Sequence, residues 1–165
     1  MFRKDEYVFY ESGGICVVAD VQVSPLEGMP DGRRYYVLQS LHEKNSVMYI
    51  PVDSEGVFLR PLLGRDDAKA LLDSIPQVEA IDEPNAKLLR ARYLEAMRTH
   101  EPTEWVRVIK TARRRMACST RTRRLSETER SFLENARRYL CTELRLALGR
   151  SEAEMAQYVD EKTEK

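Results

Sequence analysis

The side chains best suited to acid–base, nucleophilic or metal chemistry in this 165-residue chain are two histidines, His42 and His100, and three cysteines, Cys16, Cys118 and Cys141. Catalysis needs such groups within hydrogen-bond reach of a partner that sets their protonation. His42 falls in the turn-like run His42-Glu43-Lys44-Asn45, and His100 stands beside Glu101-Pro102. Both read as solvent-facing connections. The cysteines are odd in number, widely spaced and not arranged as Cys-x-x-Cys, which argues against a disulfide framework or a zinc knuckle. They are expected to be reduced thiols, buried or half-buried, packing as small hydrophobes. Gly13-Gly14 precedes a strand-like run, so it lacks the helix N-terminus of a phosphate-binding loop, and a sharp turn or bulge is expected there. No catalytic residue, cofactor or metal is expected.

Binding of a polyanion is a different matter. Between Trp105 and Ser126 the chain carries Arg107, Lys110, Arg113, Arg114, Arg115, Arg121, Arg123 and Arg124 and no acid, although its formal net charge is zero. A local cluster attracts phosphates whatever the global balance. The competing reading is a solvated face balanced by neighbouring acids, with Glu127, Glu129 and Glu134 nearby in sequence.

The elements that must position these residues change character near Leu62. Up to there, short β-branched and aromatic runs alternate with period two and are broken by Gly, Pro and Asp. Strands are predicted at Tyr7–Tyr10, Ile15–Val23, Arg34–Leu41, Ser46–Pro51 and Phe58–Arg60, with the Ser24–Gly32 turn joining two of them. After Gly64 the period becomes 3.6, and helices are predicted at Asp66–Ser74, Asn85–Thr99, Thr103–Met116, Glu127–Leu148 and Glu152–Glu161. Ser126 with Glu129 and Ser151 with Glu154 fit capping boxes, and Pro102 suits a first helical position. The expected fold class is α+β: a small β-sheet or half-barrel over residues 1–62, then a compact all-α unit over 63–165. Acids exceed bases in the first unit, so the basic cluster belongs to the second. No apolar run approaches the roughly 18 residues of a membrane span, and Met1–Asp5 is charged and leads straight into a strand. Neither a signal nor a transit peptide is expected, and a cytoplasmic location follows.

In its first half the chain resembles the RNA-polymerase-interacting module shared by CarD/CdnL regulators and the transcription-repair coupling factor. The resemblance rests on Tyr7-Val8-Phe9-Tyr10, Gly14, Tyr35-Tyr36-Val37-Leu38, Ile50-Pro51-Val52 and Leu59-Arg60-Pro61. The second half looks like the CarD C-terminal domain at Leu125-Ser126-x-x-Glu129-Arg130, Ala136-Arg137 and Leu140-x-x-Glu143-Leu144. It implies a Tudor-like sheet module and a bacterial regulator, not an enzyme. As partners it implies the polymerase β subunit, through Met48, Tyr49, Ile50 and Arg60, and promoter DNA, through helical-unit contacts that affect open-complex stability. Where well-known members carry an arginine two residues before the proline of the strand, this chain has Tyr49, so stacking, a hydroxyl or strand addition at an edge would replace an ion pair.

For the helical unit, the clustered arginines and the family position of Arg130 give Arg113, Arg114, Arg115, Arg121, Arg123, Arg124 and Arg130 as DNA-contacting candidates, mainly to the phosphate backbone. CarD proteins insert a tryptophan into the minor groove in a Glu-Pro-Thr-x-Trp context, which Glu101-Pro102-Thr103-Glu104-Trp105 matches. Counting back from Leu125-Ser126 instead puts the wedge near 87–89. Trp105 shares a helical stripe with Val108, Ile109, Ala112 and Met116, as a core residue would. Two readings of Trp105 follow, core or wedge. The protein is expected to act as a monomer. Two functional readings stand beside each other: a regulator that touches DNA, and a polymerase-bound adaptor whose helices recruit another protein.

Overall fold

The computed structural model of the protein describes residues 1–24, 26–118 and 125–164. Contacts divide the chain into two compact units, Met1–Leu62 and Leu63–Lys165. Together they make the expected α+β arrangement, an antiparallel sheet followed by helices.

The first unit contains β1 (Tyr7–Tyr10), β2 (Gly14–Val23), β3 (Arg34–Ser40), β4 (Val47–Pro51) and β5 (Leu59–Pro61), ordered β4-β3-β2-β1-β5. β1 and β2 are joined by a three-residue loop in which Gly13 N–H donates to Tyr10 O and Gly14 takes φ +68°. Glycine adopts that left-handed conformation without strain, which is why the pair closes a hairpin. Space matters at Gly13, where an added Cβ would lie 2.6 Å from Met48 Cε. Between Val18 and Asp20 the register to β3 shifts, leaving Ala19 as a bulge that bends the long strand. β3 ends at Ser40, one residue short of the predicted Leu41, because the Ser40 hydroxyl accepts the N–H groups of His42 and Glu43 and starts a turn. Val8, Cys16, Val18, Tyr36, Leu38 and Ile50 form the core on one face of the sheet. Phe2 packs edge-on to Tyr36, and its N–H donates to the Tyr36 hydroxyl at 3.1 Å.

The second unit contains α1 (Arg65–Ser74), a 3-10 turn (Ile75–Gln77), α2 (Ala86–Arg98), α3 (Pro102–Ala117), α4 (Glu127–Leu148) and α5 (Glu152–Thr163). Asn85, predicted as the first helical residue, is the cap of α2, its side chain accepting from Lys87 and Leu88 N–H. α5 begins with the predicted capping box at Ser151 and Glu154. At α4 only half of the predicted box forms. Ser126 accepts the Glu129 N–H, but the Glu129 carboxylate is held by Arg115 at 3.1 and 3.2 Å. α3 is the central helix, packed against α2, α4 and α5. Trp105, Val108, Ile109 and Ala112 are fully buried in it, with Leu89, Tyr93, Leu140, Leu144, Met155 and Val159 from its neighbours. Burying the leucines, methionine and aromatics among these stabilises the unit by about 1.5–3 kcal/mol each before entropy is counted. Met116, placed on the same stripe by periodicity, is 54% exposed in the last turn of α3. In α4, Ala136, Leu140 and Leu144 of the expected core stripe are buried, while Phe132 and Leu133 are half-buried.

Candidate functional site

Two surfaces hold the residues singled out by sequence, one on each unit. On the sheet, β4 is an edge strand. Its ladder to β3 is flanked by bonds from Ser40 N–H to Ser46 O and from Val52 N–H to Arg34 O. Antiparallel pairs alternate between bonded and non-bonded, and the register is Val37↔Tyr49 and Gln39↔Val47. Met48 and Ile50 therefore bond to β3, whereas Val47 and Tyr49 turn their N–H and C=O groups to the open edge. Pro51, the next position of that outward set, has no N–H to leave unpaired, as suits an edge.

Side chains alternate likewise. Met48 and Ile50 point into the core of the sheet. Tyr49 takes the other face and is half-buried. Of the three β4 candidates, then, only Tyr49 offers a side chain away from that core. Arg60 stands on β5 at the other end of the strand order, its guanidinium 5.0 Å from the Phe9 ring centroid and its Nη1 donating to Pro61 O at 3.1 Å. Arg60 and Tyr49 thus stand on strands at opposite ends of the strand order.

On the helical unit, much of the basic run has partners within the fold. Arg107 pairs with Glu104 at 3.0 Å. Lys110 is buried, and its Nζ donates to Ile75 O, Pro76 O and Val78 O at 2.6, 3.2 and 2.8 Å. It closes the end of the 3-10 turn and is not a surface cation; burial pulls its pKa below the usual lysine range. Arg113 contacts Asp160 at 2.6 Å and Glu164 at 3.5 Å, and Arg115 holds Glu129. Arg137 grips the same Asp160 at 3.0 and 2.8 Å, and this bond holds the Asp160 carboxyl below the usual carboxylate range. Arg114 and Arg130 are exposed, and neither makes an ion pair among the described residues. Arg121, Arg123 and Arg124 lie outside the described residues.

Sequence reasoning missed three polar groups. Lys110 is flanked by Ile109, Thr111 and Ala112, all buried, and α1 ends without a basic residue in its last turn. Together these signal a lysine needed as a donor inside. Asp160 joins α5 to α3 and α4, a contact 23 and 47 residues long in sequence with no local signature. Glu143 is fully buried in α4 and accepts the Leu63 N–H at 2.9 Å.

Trp105 is fully buried against Tyr139, ring centroids 5.5 Å apart, which settles its alternatives in favour of core. His42 and His100 are half-buried in turns, not solvent-facing. Asn45, in the same turn as His42, and His100 itself adopt positive φ. Cys16 and Cys141 are buried, and desolvation pushes each thiol up to about 11. Cys118, at the end of α3, is exposed, contrary to expectation. Among the described residues, no group of His, Cys, Asp or Glu is arranged to hold a metal, and no helix is long and apolar enough to cross a membrane.

Comparison with known families gives two matches. Residues 2–63 match the CarD-like/TRCF RID domain and residues 77–160 match the CarD C-terminal domain. No match is found among curated proteins. CarD-family domains are those of non-enzymatic regulators. An RNA-polymerase-interacting sheet followed by a CarD-type helical domain, matched over most of its length, makes this chain a member of the CarD family of transcription factors.

Proposed function

We propose that the sheet unit docks on the RNA polymerase β subunit through the β4 edge while the helical unit holds promoter DNA by its phosphates, lengthening or shortening the life of the open complex. The carrying observation is the pair of family matches, sheet and helical domain in one chain. At the edge, the outward backbone of Val47 and Tyr49 would pair with a strand of the partner, and the Tyr49 ring would supply side-chain contact; Met48 and Ile50 shape the strand from behind. Arg60 would make a separate contact. On DNA, Arg114 and Arg130, with Arg121, Arg123 and Arg124, are the primary phosphate contacts. Arg113 and Arg115 are secondary because acids already neutralise them. Phosphate contacts position without reading sequence, and with Trp105 in the core the tryptophan wedge has no side chain here. A bacterial, cytoplasmic, monomeric regulator fits this reading.

A second reading, a polymerase-bound adaptor with little DNA contact, is favoured by one observation, the internal pairing of Arg107, Lys110, Arg113 and Arg115. Lifetime of a promoter–polymerase complex separates the two. Changing Arg114, Arg121, Arg123, Arg124 and Arg130 to alanine should alter the lifetime and flatten its salt dependence; unchanged values would leave only the adaptor.

A further inference from the structure

α5 brings acids to the basic face. Asp160 takes both Arg113 from α3 and Arg137 from α4, and Glu164 adds a second contact to Arg113. A carboxylate held by two guanidinium groups makes the same fork-shaped hydrogen bonds as a phosphate. The hold is incomplete. Arg113 Nε is buried and finds no hydrogen-bond partner among the described residues, and Glu164 is two-thirds exposed. The helix carrying these acids is short and buries Met155, Val159 and Thr163, so its release exposes two apolar side chains of the core, and isolated helices of this length are marginal. Its last turn also shares a groove with Arg113, Arg114 and the end of α3, since Thr163 and Glu164 line that groove with them.

We infer that α5 is a displaceable latch whose Asp160 and Glu164 stand in for nucleic-acid phosphates, so that binding of a phosphate backbone and closure of α5 compete for Arg113 and Arg137. This rests on the DNA reading proposed above. Competition is reciprocal: acids that weaken DNA binding are themselves released by DNA. Removing two acids raises the local positive charge whether or not α5 moves, so tighter binding is required of a latch, and release of α5 on binding is what separates a latch from a structural ion pair.

The test uses the full chain and a fluorescent 20-base-pair duplex across a series of salt concentrations. Asp160→Asn with Glu164→Gln should tighten binding about tenfold and steepen the salt slope by about 1–2, since each further phosphate engaged adds about 0.9. Unchanged or weaker binding by this variant, with wild type binding normally, overturns the latch. Should Asp160→Asn unfold the chain, Glu164→Gln alone, at the more exposed acid, should still tighten binding about twofold to threefold, and no gain overturns the latch. Hydrogen exchange of α5 amides in the wild type supplies an independent reading. Faster exchange with duplex present supports release; slower or equal exchange argues closure and overturns it. Loss of binding on Arg114→Ala with Arg130→Ala keeps the DNA reading whatever α5 does, whereas absence of binding by wild type and latch variant alike overturns both.

Discussion

Lys110 shows how a residue's chemistry depends on what surrounds it. By sequence it is one cation of a basic run, yet its ammonium sits inside, donating to three carbonyls at the end of the 3-10 turn. Replacing it with methionine keeps the length and removes every donor. Ile75 O would keep the Val78 N–H at 3.1 Å, while Pro76 O and Val78 O would lose their donor, at a cost of about 1–3 kcal/mol for each one that water cannot reach. Lys110→Met should therefore destabilise the chain by about 3 kcal/mol in urea unfolding, while Arg114→Ala, on the surface, should change stability by less than about 0.5 kcal/mol. Equal small effects would mean that Lys110 is not the donor the carbonyls need. Thiol reactivity gives a second residue-scale test. Cys16 and Cys141 are buried with thiols raised to about 11, and Cys118 is exposed. The thiolate is the reactive form. An aromatic disulfide reagent at neutral pH should label one thiol per folded chain, and Cys118→Ser should abolish that labelling. Rapid reaction of the remaining two would contradict their burial.

At the scale of elements, strands and helices were largely legible because each buries one face, and burial imposes a period. Tyr7–Tyr10 and Glu127–Leu148 have the limits that alternation and capping residues predict. What periodicity does not carry is pairing between elements. The choice of Arg115 by Glu129 over the Ser126 backbone, and of Arg113 and Arg137 by Asp160, depends on helices meeting in three dimensions. The same limit hid which β4 groups face outward, since Tyr49 was legible as a candidate but its edge position required the strand order. That geometry separates two modes of docking. Tyr49→Asp alters the side chain and leaves the outward backbone in place. Val47→Pro removes an outward N–H that the β3 ladder does not use, at the strand's first residue. If strand addition dominates, β-subunit capture should fall more for Val47→Pro than for Tyr49→Asp, with both variants folded by circular dichroism. The reverse order would assign the contact to the side chain. Asp160 belongs to this scale too, because it fastens one helix to two others. Its pKa is lowered in the folded state, chiefly by the bond from Arg137, so it contributes stability above the ordinary carboxylate range that is lost as pH falls through its folded value. Asp160→Asn should remove that part of the acid sensitivity and leave an unfolding midpoint less dependent on pH below neutrality; an unchanged pH profile would mean the bond does not form in solution.

For the whole molecule, the question is how many cations remain for a partner once the fold has taken its own. The chain has equal numbers of basic and acidic side chains, so long-range attraction to DNA is not supplied by net charge and must come from local imbalance. Arg107, Arg113 and Arg115 meet acids at 2.6–3.1 Å, and Lys110 is buried on carbonyls. Of the proposed DNA contacts, Arg114 and Arg130 make no ion pair among the described residues, and the proposal adds Arg121, Arg123 and Arg124 to them. Counterion release converts that count into a slope, about 0.9 in log affinity per log salt for each phosphate neutralised. Contact by those five alone predicts a slope of about −4 to −5 for a duplex, whereas recruitment of Arg107, Lys110, Arg113 and Arg115 as well would raise it to about −8. A slope of about −6 is expected for the wild type, because release of α5 adds Arg113 and Arg137 to the five while Arg107 and Arg115 keep their acids and Lys110 stays in the core. A slope near zero would mean that the helical unit does not hold DNA through its phosphates. A slope near −8 would mean that the Arg107 and Arg115 pairs open as well and that Lys110 leaves its carbonyls, a rearrangement well beyond release of α5.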